Sequence, residues 1–353
     1  MAENPIILID NVNKSFSGKK ALKDIRLEIL EGELFVIVGF SGSGKSTLLR
    51  IIAGLENPDN GKIYFNGTDV TNLPPQKRQI GMVFQDYAVW PHMTVRKNIE
   101  FVLQKENTKF SDREQIVKKL LARVGLLEKI DSMPSQLSGG QLQRVALARA
   151  LAVKPTILLM DEPFSNLDRE VKKTLQLEIL SITKNLKITT IFVTHDQEEA
   201  QLLADRIAIM NSGLIEQVGN QHTFYNNPKN NTVAAFMDEV ISFHGLIKNI
   251  EDSIVTVIIN NHDIDFVQIN KNKLIANTNC IVSIRLSDLK IDENGWIKGK
   301  AISNKFYSGN NHLILELDDS STINITINNK LNIEYGVMIS LSAVNKQAFI
   351  FAV

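Results

Sequence analysis

One cysteine, Cys280, is the entire thiol content of the 353 residues, so no disulfide forms within the chain. Its setting, Cys-Ile-Val-Ser-Ile, reads as a buried small residue rather than a metal ligand. An excess of either charge is missing as well: 39 basic side chains meet 39 acidic ones, for a net charge of +0. That balance argues against a nucleic-acid partner, which leaves a basic footprint. No apolar run reaches the ~20 residues that span a bilayer. The opening Met-Ala-Glu-Asn-Pro has neither the basic region nor the apolar core of a secretory signal. These absences predict a soluble protein of the cytoplasm; if it serves a membrane process, another chain supplies the membrane part. With 44% apolar residues the chain can build ordinary cores, and its length suits roughly two or three domains.

What is present centres on Gly39–Thr47, Gly-Phe-Ser-Gly-Ser-Gly-Lys-Ser-Thr. It fits G-x-x-x-x-G-K-[ST] at Gly39, Gly44, Lys45 and Ser46, with an apolar strand before it (Leu34–Val38) and a helix after it, ended by Gly54. The glycines let successive N–H groups, including those around Ser41, Gly42 and Ser43, turn inward on a polyphosphate. The helix start near Thr47 adds its positive end. Lys45 then reaches the β/γ-phosphates and the Ser46 hydroxyl holds Mg²⁺. The pattern predicts a nucleoside-triphosphate site.

Around that loop the chain alternates strands and helices. Residues 6–12 and 21–30 read as strands about a turn at Ser17-Gly18, and Phe16 either stacks on a nucleotide base or closes a strand end. Ile80–Phe84 is a short buried strand ending at Gln85, where a polar side chain suits a γ-phosphate or Mg²⁺ contact. From about 94 to 130 the period is helical, with a capping-box pattern at Ser111–Glu114 and an apolar face on Ile116, Leu120, Leu121 and Val124. Leu137-Ser138-Gly139-Gly140-Gln141 feeds a long helix, a second anion cradle at a helix start. Thr156–Met160 reads as a buried parallel strand ending in two carboxylates. Asp161 suits Mg²⁺ through its waters, and Glu162 suits orienting an attacking water. Asp168 caps the next helix, and His195 ends another buried strand at the same sheet edge, placed for a γ-phosphate contact.

Near 219–235 the texture is linker-like, with Asn226-Asn227-Pro228 and Asn230-Asn231. Beyond about 240 short β-branched runs recur at 254–259, 281–286, 312–317, 322–327 and 337–343, the cadence of a small all-β barrel or sandwich.

Taken together, residues 1–235 resemble the ATP-binding-cassette ATPases of solute importers. Gly39–Thr47 and Ile157–Glu162 are the nucleotide motifs, Leu137–Gln141 the signature, Gln85 the connecting glutamine, Ser165–Asp168 the loop and His195 the switch. The stretch Val83–Val95 is similar to the importer version of the glutamine loop. Residues 236–353 resemble the β-barrel regulatory region, of oligomer-binding-fold type, carried by importers of sugars, polyamines, ferric ion and some anions. Ser283–Leu289 has Leu286-Ser287 where the family usually has Pro-Glu, and Asp238 replaces a usual glycine in a junction nearer the polyamine and ferric branch.

The resemblance implies an α/β phosphate-loop domain with a helical subdomain at about 86–150, then an all-β barrel. It also implies ATP and Mg²⁺ as ligands, with Phe16 stacking on the base. Ser138, Gly139, Gly140 and Gln141 of a second copy would complete the cage, and Asp168 lies at the same nucleotide. The implied partners are integral-membrane permease subunits, a second copy of the chain and, indirectly, an extracytoplasmic solute-binding protein, at the cytoplasmic face of the membrane. The alternative is a soluble cassette ATPase without a permease, acting in DNA repair, translation or cofactor assembly; the Tyr87–Val95 stretch and the β domain speak against it. An oligonucleotide-binding β domain is opposed by neutral charge and by the lack of aromatics alternating with Lys and Arg. A cassette exporter is opposed by the lack of fused membrane helices.

Overall fold

The computed structural model describes residues 5–105, 108–327 and 333–353. The chain divides into two compact units, Met1–Gln221 and His222–Val353.

The first unit runs β1 (Ile7–Phe16), β2 (Lys19–Ile29), β3 (Leu34–Val38), α1 (Lys45–Ala53), β4 (Asn60–Phe65), β5 (Thr68–Asp69), β6 (Ile80–Val83), α2 (Val95–Lys105), α3 (Phe110–Arg123), α4 (Gly139–Ala152), β7 (Ile157–Asp161), α5 (Arg169–Leu186), β8 (Thr189–Thr194), α6 (Gln197–Leu203), β9 (Arg206–Asn211) and β10 (Leu214–Gly219). An antiparallel sheet has the order β2-β1-β4-β5, and a second sheet the order β10-β9-β3-β8-β7-β6. In the second, β6, β7, β8, β3 and β9 run parallel and β10 returns antiparallel. Every residue of β3, β7 and β8 is buried, as expected of parallel strands covered on both faces.

Helix α1 lies in the core between the two sheets: Leu48, Leu49, Ile51 and Ile52 pack with Ile7 and Ile9 of one and with Phe35, Ile37 and Leu159 of the other. Its last turn is held by buried Arg78, whose Nη1 donates to Ile51 O and Ile52 O at 2.8 Å each. The guanidinium thus satisfies carbonyls the helix leaves open and complements its negative end. The helix that follows the phosphate loop is thus anchored at its C-terminal end.

Local signals held at some termini and failed at others. The Ser111–Glu114 capping box does not form: α3 begins at Phe110 with Lys109 at the N-cap, and Ser111 Oγ donates to Asp112 Oδ1 (2.9 Å) from inside the helix. Asp168 stands at the N-cap of α5, yet its side chain makes no capping bond. The box that does form is at α4, where Ser138 Oγ accepts from Gln141 N (3.3 Å) and Gln141 Oε1 accepts from Ser138 N (3.0 Å).

The division falls at the start of α7 (Gln221–Asn226), which is followed by α8 (Asn231–Met237). The stretch that reads as a linker is therefore mostly helical. Phe224, Val233 and Phe236 are buried, and Asn230 Oδ1 caps α8 by accepting from Val233 N (2.9 Å). The strands β11 (Val240–Glu251), β12 (Ile254–Ile259), β13 (His262–Gln268), β14 (Asn279–Arg285), β15 (Leu289–Ile291), β16 (Ile297–Tyr307), β17 (Asn310–Leu317), β18 (Thr322–Ile327), β19 (Met338–Ala343) and β20 (Gln347–Ala352) follow. A closed barrel has the order β11-β12-β13-β20-β14, with β13–β20 its parallel pair. This is the connectivity of an oligomer-binding-type barrel. The strands between β14 and β20 form a second sheet, β15-β19-β16-β17-β18. Both share one core, in which Val255, Phe266 and Val282 meet Leu313, Leu315 and Leu341.

Candidate functional site

The parallel strands β3, β7 and β8 end side by side, so whatever follows each one is delivered to the same edge of the sheet. After β3 comes the glycine loop. At Gly39 an added Cβ would sit 2.0 Å from Met210 O, and at Gly44, with φ of 103°, 2.5 Å from Ala21 O. Both positions need glycine, one for space and one for conformation as well.

Lys45 opens α1 and is 4% exposed. Its Nζ donates to Gly39 O (2.9 Å) and Phe40 O (3.0 Å), so the ammonium is folded back under its own loop. Burial pushes its pKa down, against the pull of the Glu162 and Asp161 carboxylates. Ser46 Oγ donates to Asp161 Oδ1 at 2.9 Å. Asp161 is 6% exposed, and burial pushes its carboxyl pKa up while the Ser46 hydroxyl bond opposes the shift. Ser43 Oγ is buried in the loop without a hydrogen-bond partner.

Glu162 follows Asp161 with φ of 42°, in the left-handed region that side chains other than glycine and asparagine rarely enter. Its N–H donates to Val193 O (3.0 Å), which fixes the turn across β8. Its Oε2 lies 3.0 Å from His195 Nδ1. A strained backbone thus aims a carboxylate at the histidine ending the neighbouring strand, at a strain of about 1–3 kcal/mol.

The sequence-predicted residues fall into two groups. Lys45, Ser46, Asp161, Glu162 and His195 come together at the sheet edge. Ser138, Gly139, Gly140 and Gln141 start α4 elsewhere: an added Cβ on Gly139 would lie 3.1 Å from Leu167 Cδ2 and 3.8 Å from the Tyr87 hydroxyl. Gln85 is exposed, and its carbonyl accepts from Asn166 Nδ2 (3.3 Å), joining the glutamine segment to the Ser165–Asp168 loop. Phe16 ends β1 at 46% exposure, with Lys14 Nζ over its ring, 5.2 Å from the centroid.

One residue that sequence reading passed over, Lys172, stands beside the site with two acids of the α6 start. Lys172 of α5 pairs with Glu199 Oε1 (2.7 Å) and with Asp196, which directly follows His195. No local pattern signals its pairing with them, because Lys172 meets the two acids only when α5 packs beside α6. The donor set at Ser46 and Asp161, oxygen from a hydroxyl and a carboxylate, fits a hard divalent cation. The buried Lys45 ammonium and the unpartnered Ser43 hydroxyl fit phosphate oxygens.

Comparison with known proteins agrees with this geometry. The family model described as "ABC transporter" matches residues 22–165. The chain is 47% identical over 247 residues to the spermidine/putrescine import ATP-binding protein PotA of Lawsonia intracellularis, covering 70% of this chain and 67% of that one. It is 40% identical over 329 residues to the Fe(3+) ions import ATP-binding protein FbpC of Fusobacterium nucleatum, covering 92% and 87%. A sulfate/thiosulfate import ATP-binding protein CysA of Synechocystis sp. is 50% identical over 234 residues, 66% of each chain. Among solved structures, a dimeric ATP-binding cassette in a post-hydrolysis state bound to ADP and Pi superposes with a TM-score of 0.55 at 32% identity, covering 61% of this chain and 98% of that one.

Proposed function

The chain belongs to the ABC transporter family of import ATPases, and from that membership we propose that Glu162 and His195 hydrolyse ATP here to drive solute uptake through separate permease subunits. The observation that carries the reading is the 3.0 Å contact between Glu162 and His195, at the sheet edge where Ser46 meets Asp161.

In this reading Lys45 exchanges its two loop carbonyls for phosphate oxygens, a change that turns a buried, poorly solvated ammonium into a paired one. The inward N–H groups of residues 39–47 and the start of α1 share that load. Ser46 and Asp161 are the residues to hold Mg²⁺, which when bound neutralises charge on the phosphates. Glu162 orients the attacking water and accepts its proton. His195 steadies Glu162 through Nδ1, leaving Nε2 for the γ-phosphate. Gln85 reports on the same phosphate and leads into the segment that meets the permease. Phe16 stacks on the base.

Ser138, with Gly139, Gly140 and Gln141, presents a helix start that serves the nucleotide of a second, head-to-tail copy, and Asp168 lies at that junction. The pair works at the cytoplasmic face of the membrane, fed by an extracytoplasmic binding protein. The solute belongs with the polyamine, ferric-ion or anion cargoes named for the relatives. The domain division that goes with this reading is an ATPase domain followed by a barrel that regulates it.

The test compares two variants. Glu162→Gln is expected to bind ATP normally and turn over roughly 10²–10⁴-fold more slowly, the usual worth of a positioned base. Lys45→Ala is expected to lose nucleotide affinity instead. Near wild-type hydrolysis by Glu162→Gln would overturn the assignment.

A further inference from the structure

His195 is more exposed than its neighbours, with 57% of its side chain open to solvent, yet the turn that carries it is tied down from behind. Thr194 Oγ1 donates to Glu199 Oε2 and accepts from Asp196 N (3.0 Å). Asp196 Oδ1 accepts from Glu199 N (3.2 Å), capping α6. Both chain neighbours of His195 therefore belong to one hydrogen-bonded knot. That knot holds two carboxylates, and Glu199 is only 3% exposed.

The cation that balances them comes from another element. Lys172 Nζ pairs with Glu199 Oε1 at 2.7 Å and also with Asp196 Oδ2. Lys172 sits in the first turn of α5, where its N–H donates to Asp168 O (2.9 Å). It is therefore bonded to the end of the loop Ser165–Asp168, whose Asn166 donates to the Gln85 carbonyl. Lys172, Asp196, Glu199, Glu162, Ser165 and His195 all line a single cavity.

We propose that Lys172 is a positioning residue for ATP hydrolysis, a rigid tie through which the 165–168 loop sets the distance between His195 and Glu162. The inference rests on the reading of Glu162 and His195 as the hydrolytic pair. An exposed side chain such as His195 cannot fix its own place by packing; its neighbours in the chain must do so, and Lys172 holds Asp196 directly and Thr194 through Glu199. When the 165–168 loop shifts, Lys172 carries the shift into Asp196 and Glu199 and so into the backbone at His195. Packing alone would not single out Lys172, because a methionine of similar length fills the same space.

Three variants test this: Lys172→Met, Lys172→Arg and the double variant Lys172→Met with Glu199→Gln. The double variant removes the carboxylate charge that the single one strands in the interior, so it keeps the fold. Lys172→Met and the double variant are expected to lower kcat about tenfold, the scale of a small misplacement of reacting groups, with KM for ATP unchanged. Lys172→Arg is expected to restore kcat. A double variant with wild-type kcat would overturn the proposal, leaving only a structural ion pair. So would a rise in KM with kcat intact. Glu162→Gln run alongside separates the two failures: if it still hydrolyses ATP, the hydrolytic pair is wrong; if it is dead while folded Lys172 variants are fully active, only the tie is wrong.

Discussion

Burying the Asp161 carboxylate costs the fold stability. Burial raises its pKa, Ser46 opposes the shift by donating a hydrogen bond, and Glu162 adds to it by repulsion. Because the folded value is raised, the native state holds this proton more tightly than the unfolded chain does. Stability therefore falls as pH rises from the unfolded carboxylate value, ~3.9, through the folded one. Asp161→Asn keeps an acceptor for Ser46 and removes the charge. Without nucleotide it is expected to melt at a higher temperature than wild type at pH 7, with the advantage fading as pH drops below the ordinary carboxylate range. The same variant is expected to lose Mg²⁺-dependent ATP binding, since activity and stability pull this residue in opposite directions. Thermal scans of both proteins at neutral and acid pH check it, and a lower melting point for Asp161→Asn at pH 7 would contradict it. Cys280 is the opposite case: burial pushes its thiol up to about 11, so it behaves as the inert core residue its apolar setting predicts.

At the scale of elements, capping shows which parts of this fold local sequence could and could not specify. Asn230 caps α8 with a bond to Val233 N (2.9 Å), and Ala234 of that helix packs with Phe349 and Phe351 of β20. Asn230→Ala is expected to cost about 1 kcal/mol, read as an earlier denaturant midpoint for the second unit with an unchanged transition at the first. The asparagines around 226–231 read as linker because they dominate the local composition, while the buried Phe224, Val233 and Phe236 that decide the outcome find partners only in the folded unit. The phosphate loop was legible for the contrary reason: strand, glycines, Lys45, Ser46 and helix are contiguous, and the chemistry is written within a few residues. The carboxylates after β7 and the histidine after β8 were legible because an apolar strand announces its own end. Ser111–Glu114 carried the letters of a capping box but started one residue inside its helix, whereas Ser138–Gln141 carried them in register. The barrel strand β13 was missed because His262-Asp263-Ile264-Asp265 alternates acids with one apolar residue, and its parallel partner β20 lies far along the chain. Lys172 likewise shares no local pattern with Asp196 and Glu199.

At the scale of the whole molecule, one chain holds two glycine-containing helix starts, at Lys45 and at Gly139, and the proposed function gives each a part in assembly. Lys45 and its loop face the sheet edge with Asp161 and Glu162. Ser138 spends its local bonds on Gln141, and Gly139 faces Leu167 and Tyr87. Under the proposed function a nucleotide on Lys45 would meet the second cradle on another copy, and two copies facing each other would offer two such sites. The pairing should depend on ATP and vanish on hydrolysis, because the γ-phosphate is what both cradles would grip. A net charge of +0 gives no long-range repulsion to oppose it. Glu162→Gln saturated with Mg²⁺ and ATP is accordingly expected to run at twice the mass of the nucleotide-free protein in light scattering. Addition of Ser138→Arg, which places a bulky cation in the second cradle, should return it to the nucleotide-free mass while ATP binding to the Lys45 loop persists. A Glu162→Gln protein that binds ATP fully and shows no change in mass would separate the two cradles for good, and Ser138 would then be a helix cap and nothing more.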